Sequence, residues 1–393
     1  MRGNKLYKAL DGWLGRAGIL LMTAVPRRGP DELPAGKVSK ILVVKLSALG
    51  DTIILVPALR ALRQRYPRAE IGLVGTRVNE EIALQYRQYI DHFFRLDVAR
   101  AAREPWSLIE FVRELRAGRW QLGIDFDQWT HITPLLLRLA DVPTRIGFRT
   151  GARVRHRLYT ATERRRDELH EAENFLALLR PLGIEGGSLQ LEMPVDPTAL
   201  ARARRQLREQ GWNGQDPLIV LHPGTGAPGS VRAQRAWPAA SYAELARRMV
   251  EEGERPFLAI TAAPEERPLA LELLDSQPAA GCVLTLELRE FIACLSLATL
   301  VVSGNSGAMH IAAALGVPQI ALHGPAGASR WGPLNRNAVV IESSCPGCPC
   351  LDMGWEYHRT DGHCMSQITV DEVLAPALQV LQAERPLLAR AAR

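Results

Sequence analysis

Three loops of the 393-residue chain carry side chains that could handle a proton or a phosphate. The first is Lys45-Leu-Ser-Ala-Leu-Gly-Asp-Thr-Ile-Ile-Leu-Val-Pro-Ala-Leu59, which joins an apolar run to a helical pattern. Gly50 is expected to turn the chain sharply there, because glycine adopts backbone angles closed to other residues. Asp51 then stands at the helix start, either as a cap or as a carboxylate presented as general base. The second loop, His222-Pro-Gly-Thr-Gly-Ala-Pro-Gly229, spells GxGxxG with Gly224, Gly226 and Gly229. Pro228 intervenes and no helix opens from the last glycine, so the dinucleotide fingerprint is weak, although exposed amides would still suit a phosphate. Downstream, Arg235 of Arg235-Ala-Trp-Pro238 could hold a phosphate through two hydrogen bonds or pack on Trp237. In the third loop, Asn305, Ser306 and Gly307 lie between an apolar strand and an Ala-rich helix. Their small size leaves room for a diphosphate at the helix N-terminus, where free amides and a partial positive charge favour anions.

No GxxxxGK[ST], HExxH or GxSxG sequence occurs, which argues against P-loop ATPases, zincin proteases and α/β-hydrolases. Cys345-Pro-Gly-Cys348-Pro-Cys350 with His363-Cys364 holds enough thiolates for a tetrahedral zinc site. Six cysteines in the whole chain are too few for a disulfide scaffold, so a reduced, cytoplasmic protein is expected.

The elements that must position these loops follow an α/β rhythm. Lys40 to Leu46 is a nearly continuous apolar run, as in a strand buried on both faces. A helical pattern from Ile53 to Tyr66 and a strand from Glu70 to Gly75 complete a strand–loop–helix–strand unit, the mark of a parallel sheet. Leu122 to Phe126 reads as another strand, and Leu169 to Leu182 as a helix closed by Gly183. Beyond a looser, Pro- and Gly-containing stretch the rhythm restarts with Pro217 to His222, followed by strands at 256–260, 282–284, 300–303 and 319–322. Two α/β domains are expected, 38–200 and 201–393, behind a basic, partly amphipathic leader, 1–37.

Residues 1–40 carry eight Lys/Arg against three Asp/Glu, nearly all of the formal charge of +6. A basic leader on a near-neutral body argues against a spread nucleic-acid surface and fits anionic lipid headgroups. Its apolar residues are interleaved with charge, and its longest uncharged stretch is far below the ~18 residues that span a bilayer. The leader is therefore expected to lie on a membrane, not to cross it.

Together these stretches resemble glycosyltransferase family 9, the lipopolysaccharide heptosyltransferases. The resemblance rests on Ile41 to Leu59, His222 to Pro238, Ser303 to His310 and Cys345 to Cys364 followed by Ile368 to Val373. It implies a GT-B fold, two Rossmann-like domains facing across a cleft, with acceptor on the N-terminal and donor on the C-terminal domain. It places the general base at Asp51, acceptor-side residues at Ser47, Gly50 and Asp127, and the donor at Thr225, Arg235, Asn305, Ser306, Gly307 and His310. Glu265 or Glu266 falls at the ribose. His310 could equally be structural. Many members have Asp where this chain has Asn305, and Lys where it has Arg235; the first difference could change which sugar is accepted. Similar cysteines occur in relatives that need no metal. The implied reaction is an inverting transfer without cofactor or metal, from a nucleotide sugar such as ADP-heptose to a lipid A-linked glycolipid, at the inner face of the cytoplasmic membrane. An epimerase of the same fold and a silent glycan-binding protein are the alternatives.

Overall fold

The computed structural model describes residues 9–24, 38–46, 48–149, 154–225, 234–252, 256–275, 281–352, 356–357 and 363–391. The chain forms two compact units, Met1–Leu189 and Gln190–Arg393. The division falls before the expected boundary at residue 200, because the helix Pro197–Glu209 packs on the helix Leu288–Ser296 of the second unit. Asp196 caps that helix by accepting from the amides of Thr198 and Ala199 at 2.8 and 2.9 Å.

The first unit is built on six parallel strands: β1 (Lys40–Val44), β2 (Glu70–Gly75), β3 (His92–Arg95), β4 (Leu122–Asp125), β5 (Thr144–Arg149) and β6 (Ala161–Arg164). Their order is β3-β2-β1-β4-β5-β6. The second unit repeats the arrangement with β7 (Leu218–His222), β8 (Phe257–Thr261), β9 (Gly281–Leu284), β10 (Leu300–Gly304), β11 (Gln319–His323) and β12 (Ala338–Glu342), in the order β12-β11-β10-β7-β8-β9. Each is the Rossmann order, which reverses once, between β1 and β4 and between β7 and β10, and ligands of such sheets bind beyond the strand ends at that switch point. Two Rossmann units in one chain make the GT-B fold.

The central strands are buried on both faces, which is why they read as unbroken apolar runs. The expected helix from Ile53 to Tyr66 is two helices, Leu49–Ile54 and Val56–Arg65, because Pro57 has no N–H to donate to the preceding turn. The expected helix from Leu169 to Leu182 is a shorter helix, Glu171–Ala177, followed by a 3₁₀ turn, Arg180–Leu182, since Pro181 has no N–H to continue the helix; Gly183 closes the turn in the left-handed region at φ 74°.

The described part of the leader, residues 9–24, packs on the first unit. A π-turn, Asp11–Gly15, runs into the helix Arg16–Ala24. Asp11 accepts from the amides of His131 and Ile132 at 2.9 and 3.0 Å, closing the N-terminus of the helix Ile132–Leu139. Gly15 lies so close that a Cβ there would stand 2.4 Å from that of His131, and Ile19 is fully buried. Deletion of residues 1–36 would therefore strip a helix cap and uncover an apolar contact.

Candidate functional site

In the first unit both strands at the switch point end in charge. Lys45 follows β1 with a side chain only 2% exposed, and its Nζ lies 3.5 Å from Asp51 Oδ1 and 5.1 Å from the centre of the Phe175 ring. The other oxygen of Asp51 accepts the Ala48 amide at 2.9 Å. Extended Ala48, with φ −121° and ψ −169°, makes the turn into the helix. Gly50 is helical and is not among the positive-φ glycines, so its expected role as the sharp turn is corrected. Asp51 thus both caps the helix and pairs with a buried cation.

Beyond β4, Asp127 Oδ1 accepts from the amides of Trp129 and Thr130 and from the Thr130 hydroxyl at 2.9 to 3.1 Å. Burial would raise the Asp127 carboxyl, but Lys45 and Arg155 outweigh it and hold the group below its ordinary value. Its Oδ2 has no hydrogen-bond partner among the described residues. Lys45 therefore serves two carboxylates at once. Underneath, Asp125 Oδ2 accepts from Arg155 at 2.9 Å and from the Tyr159 hydroxyl at 2.5 Å, all three buried. Burial pushes Asp125 up to about 6 in spite of Arg155. The arrangement is a stack of compensated charges beneath a carboxylate on a helix start.

In the second unit the ends of β7 and β10 carry the other motifs. Glu266, buried on the 3₁₀ turn Pro264–Glu266, accepts from the amides of Thr225 and Ala263, each at 3.4 Å. A Cβ on Gly224 would stand 2.3 Å from Glu266 Oε2, so only glycine permits this approach. His222 meets the Thr261 hydroxyl at 3.0 Å, and burial lowers its pKa against the opposing pull of Glu266. Glu266 is thus engaged in holding the loop, while Glu265 is exposed.

Arg235 donates to the Asn305 carbonyl at 2.8 Å and to Asn305 Oδ1 at 3.1 Å. Trp237, two residues further on, is buried in a T-shaped contact with Tyr242. Asn305 Nδ2 donates to the Trp331 carbonyl at 3.2 Å. The amide therefore fits where a carboxylate would set oxygen against oxygen, which accounts for Asn305 in structural terms. Ser306, extended, precedes the helix Gly307–Leu315, and its buried Oγ has no partner among the described residues. This end offers a hydroxyl, the helix amides and a positive dipole, the features of an oxyanion site. His310 is buried one turn into the same helix.

The sequence model of glycosyltransferase family 9 (heptosyltransferase) matches residues 108–359, more than half of the chain. The chain belongs to glycosyltransferase family 9. It is 28% identical over 323 residues to lipopolysaccharide heptosyltransferase 2 of Salmonella typhimurium, covering 77% of this chain and 87% of that one. A family 9 glycosyltransferase from Veillonella parvula superposes with a TM-score of 0.75 at 21% identity, over 90% of this chain and 99% of the other. Escherichia coli heptosyltransferase WaaC with ADP gives 0.66 at 20% identity, over 87% and 99%. As a member of the family the chain is a glycosyltransferase.

The family 9 motifs gather into two groups. Asp51, Gly50 and Asp127 meet at the first switch point, and Thr225, Glu266, Arg235, Asn305, Ser306, Gly307 and His310 lie at the second. Ser47 and the rest of the second loop, with Gly226 and Gly229, lie outside the described residues. Lys45, Asp125 and Arg155 escaped the sequence reading. For Lys45 a signal existed: it is the last of five lysines in a chain whose other basic residues are arginines. Arg155 had none, since it sits in an arginine-rich run.

Proposed function

We propose that the chain is an inverting transferase that moves heptose from ADP-heptose onto a lipid A-linked inner-core acceptor, without a metal. What supports this most is that the family motifs fall on both switch points of a double Rossmann chain. Asp51 would take the proton from an acceptor hydroxyl as it attacks the anomeric carbon. Lys45 steadies the charge of Asp51, and Asp127 lies beside the same cation. The amides of the Gly307–Leu315 helix, the Ser306 hydroxyl and Arg235 would stabilise the departing ADP, a task that a divalent ion performs elsewhere. Exposed Glu265 is the carboxylate left for the ribose. The base and sugar follow the relatives, which are heptosyltransferases, one of them solved with ADP.

Arg235→Ala should weaken ADP binding by about 1.5–3 kcal/mol, the cost of losing a charged hydrogen bond. Calorimetric titration of both proteins with ADP reads the difference. Equal affinities would remove Arg235 from the donor site.

The acceptor is lipid-linked, and the leader supports attachment to an anionic membrane surface. Its helix presents Leu10, Trp13, Leu14, Leu20 and Leu21 outward, Trp13 being 82% exposed and Leu14 and Leu21 each 67%. These positions form one helical stripe opposite buried Ile19. Arg138 and Arg157 line a cleft with Met22 and Thr23 at the end of this helix, which puts cationic charge near it. No described helix is long and apolar enough to cross a membrane. Replacing Trp13, Leu14 and Leu21 together by Ser should lower binding to anionic liposomes about 100-fold, from roughly 1 kcal/mol per buried side chain. The docked face of the helix, and hence folding, should be unaffected. Unchanged liposome binding in a co-sedimentation assay would exclude the stripe as the anchor.

A further inference from the structure

The four C-terminal cysteines play no part in either switch-point site, yet the fold collects them. Cys345, Cys348 and Cys364 place their sulfurs within 4.8 Å of one another, and Cys350 Sγ stands 3.8 Å from Cys364 Sγ. Cys348 and Cys364 form a disulfide. Cys350 and Cys364 are buried, and Cys345 and Cys348 are partly exposed.

We propose that, once the disulfide is reduced, the four cysteines bind one Zn²⁺ as a structural tetrathiolate site. A tetrahedron with zinc–sulfur bonds of 2.3 Å has sulfur–sulfur edges of about 3.8 Å, the separation already present between Cys350 and Cys364. Cys345-Pro-Gly-Cys348 is a tight turn closed by the Cys348 amide on the Cys345 carbonyl at 3.1 Å, with Gly347 at φ 83°. This gives the two-residue ligand spacing usual for structural zinc. Backbone bonds hold the other ligands: Cys350 N donates to Pro325 O at 3.0 Å, and Ser343 Oγ donates to Cys364 O at 2.6 Å while accepting from Cys345 N. Four thiolates with no nitrogen or oxygen ligand favour zinc over harder divalent ions.

The chemistry balances. A dithiol reductant gives two electrons and two protons to the Cys348–Cys364 disulfide and leaves as its own disulfide. The two thiols so formed and those of Cys345 and Cys350 then release four protons on binding Zn²⁺. The site would clasp the segment before the C-terminal helix to the loop after β11, whose strand neighbours the Asn305 loop. It lies apart from the proposed transfer, which needs no metal.

The test titrates Zn²⁺ into the full chain, reduced by a dithiol in metal-free buffer, against a chelating dye, with bound metal counted by mass spectrometry. One zinc per chain is expected, with a higher thermal midpoint and at least 100-fold weaker binding in both Cys345→Ser and Cys350→Ser. Cys282→Ser, outside the cluster, should bind normally. Should a variant fail to fold, Co²⁺ added to the reduced wild-type chain should give thiolate charge-transfer and tetrahedral ligand-field bands that diamide abolishes. Substoichiometric zinc in the reduced chain, unchanged affinity in folded Cys350→Ser, or an octahedral cobalt spectrum would overturn the proposal.

Discussion

Asp51→Asn should lower kcat by about 10²–10⁴-fold, the usual contribution of a general base, or about 3–5 kcal/mol of barrier. The amide can still accept the Ala48 N–H through its remaining oxygen, so the helix start survives. What is lost is the partner of Lys45, and Asp127 stays close enough to compensate that buried cation. A stability cost of about 1–3 kcal/mol is expected, below that of stranding a buried charge completely. ADP affinity should not change, since the donor groups sit in the other unit. Single-turnover kinetics beside a thermal melt separate the two effects. Near-normal turnover in a folded variant would leave Asp51 as a cap and nothing more.

Arg155→Met is expected to be the most destabilising conservative change in the first unit. The guanidinium is fully buried and binds Asp125, the Asp127 carbonyl and the hydroxyls of Thr133 and Tyr159. Removing one partner of a buried pair costs about 3–5 kcal/mol, which for a unit of this size lowers Tm by roughly 6–20 °C. The loss should depend on pH. Asp125 titrates near 6 in the folded chain against 3.8 in the reference state, so the folded form holds a proton that the unfolded form has released. Its contribution to stability therefore falls as pH rises from about 4 to 6. Without Arg155 the folded pKa rises further and the decline extends to higher pH. Urea unfolding should thus show a smaller deficit at pH 5 than at pH 8. An equal deficit at both would mean that the pair does not govern the cost.

Much of the fold was legible because β1, β2, β4, β7, β8, β10 and β11 are largely continuous apolar runs, as double burial requires. Edge strand β9 was read from its short run Cys282-Val-Leu284, whereas the edge strands β3, β6 and β12, each with exposed residues, were not read. β5, Thr-Arg-Ile-Gly-Phe-Arg, is interior but interrupted by arginine, whose guanidinium is satisfied by the Leu158 carbonyl at 2.7 Å. The site loops could be read because each joins a strand to a helix within a few residues. The ion stack beneath Asp51 could not, because Lys45, Asp125 and Arg155 meet only through tertiary packing. Asp11, one of the charges interleaved with the apolar residues of the leader, is a helix cap across 120 residues of sequence.

The central claim is tested most directly by incubating the full chain with ADP-heptose and a lipid A-linked inner-core acceptor in EDTA, and following acceptor mass and released nucleotide together. One added heptose per acceptor is expected, with an equal amount of ADP and inverted anomeric configuration. Nucleotide release without a glycosylated acceptor, retention of configuration, or transfer only when Mg²⁺ or Mn²⁺ is restored would contradict it.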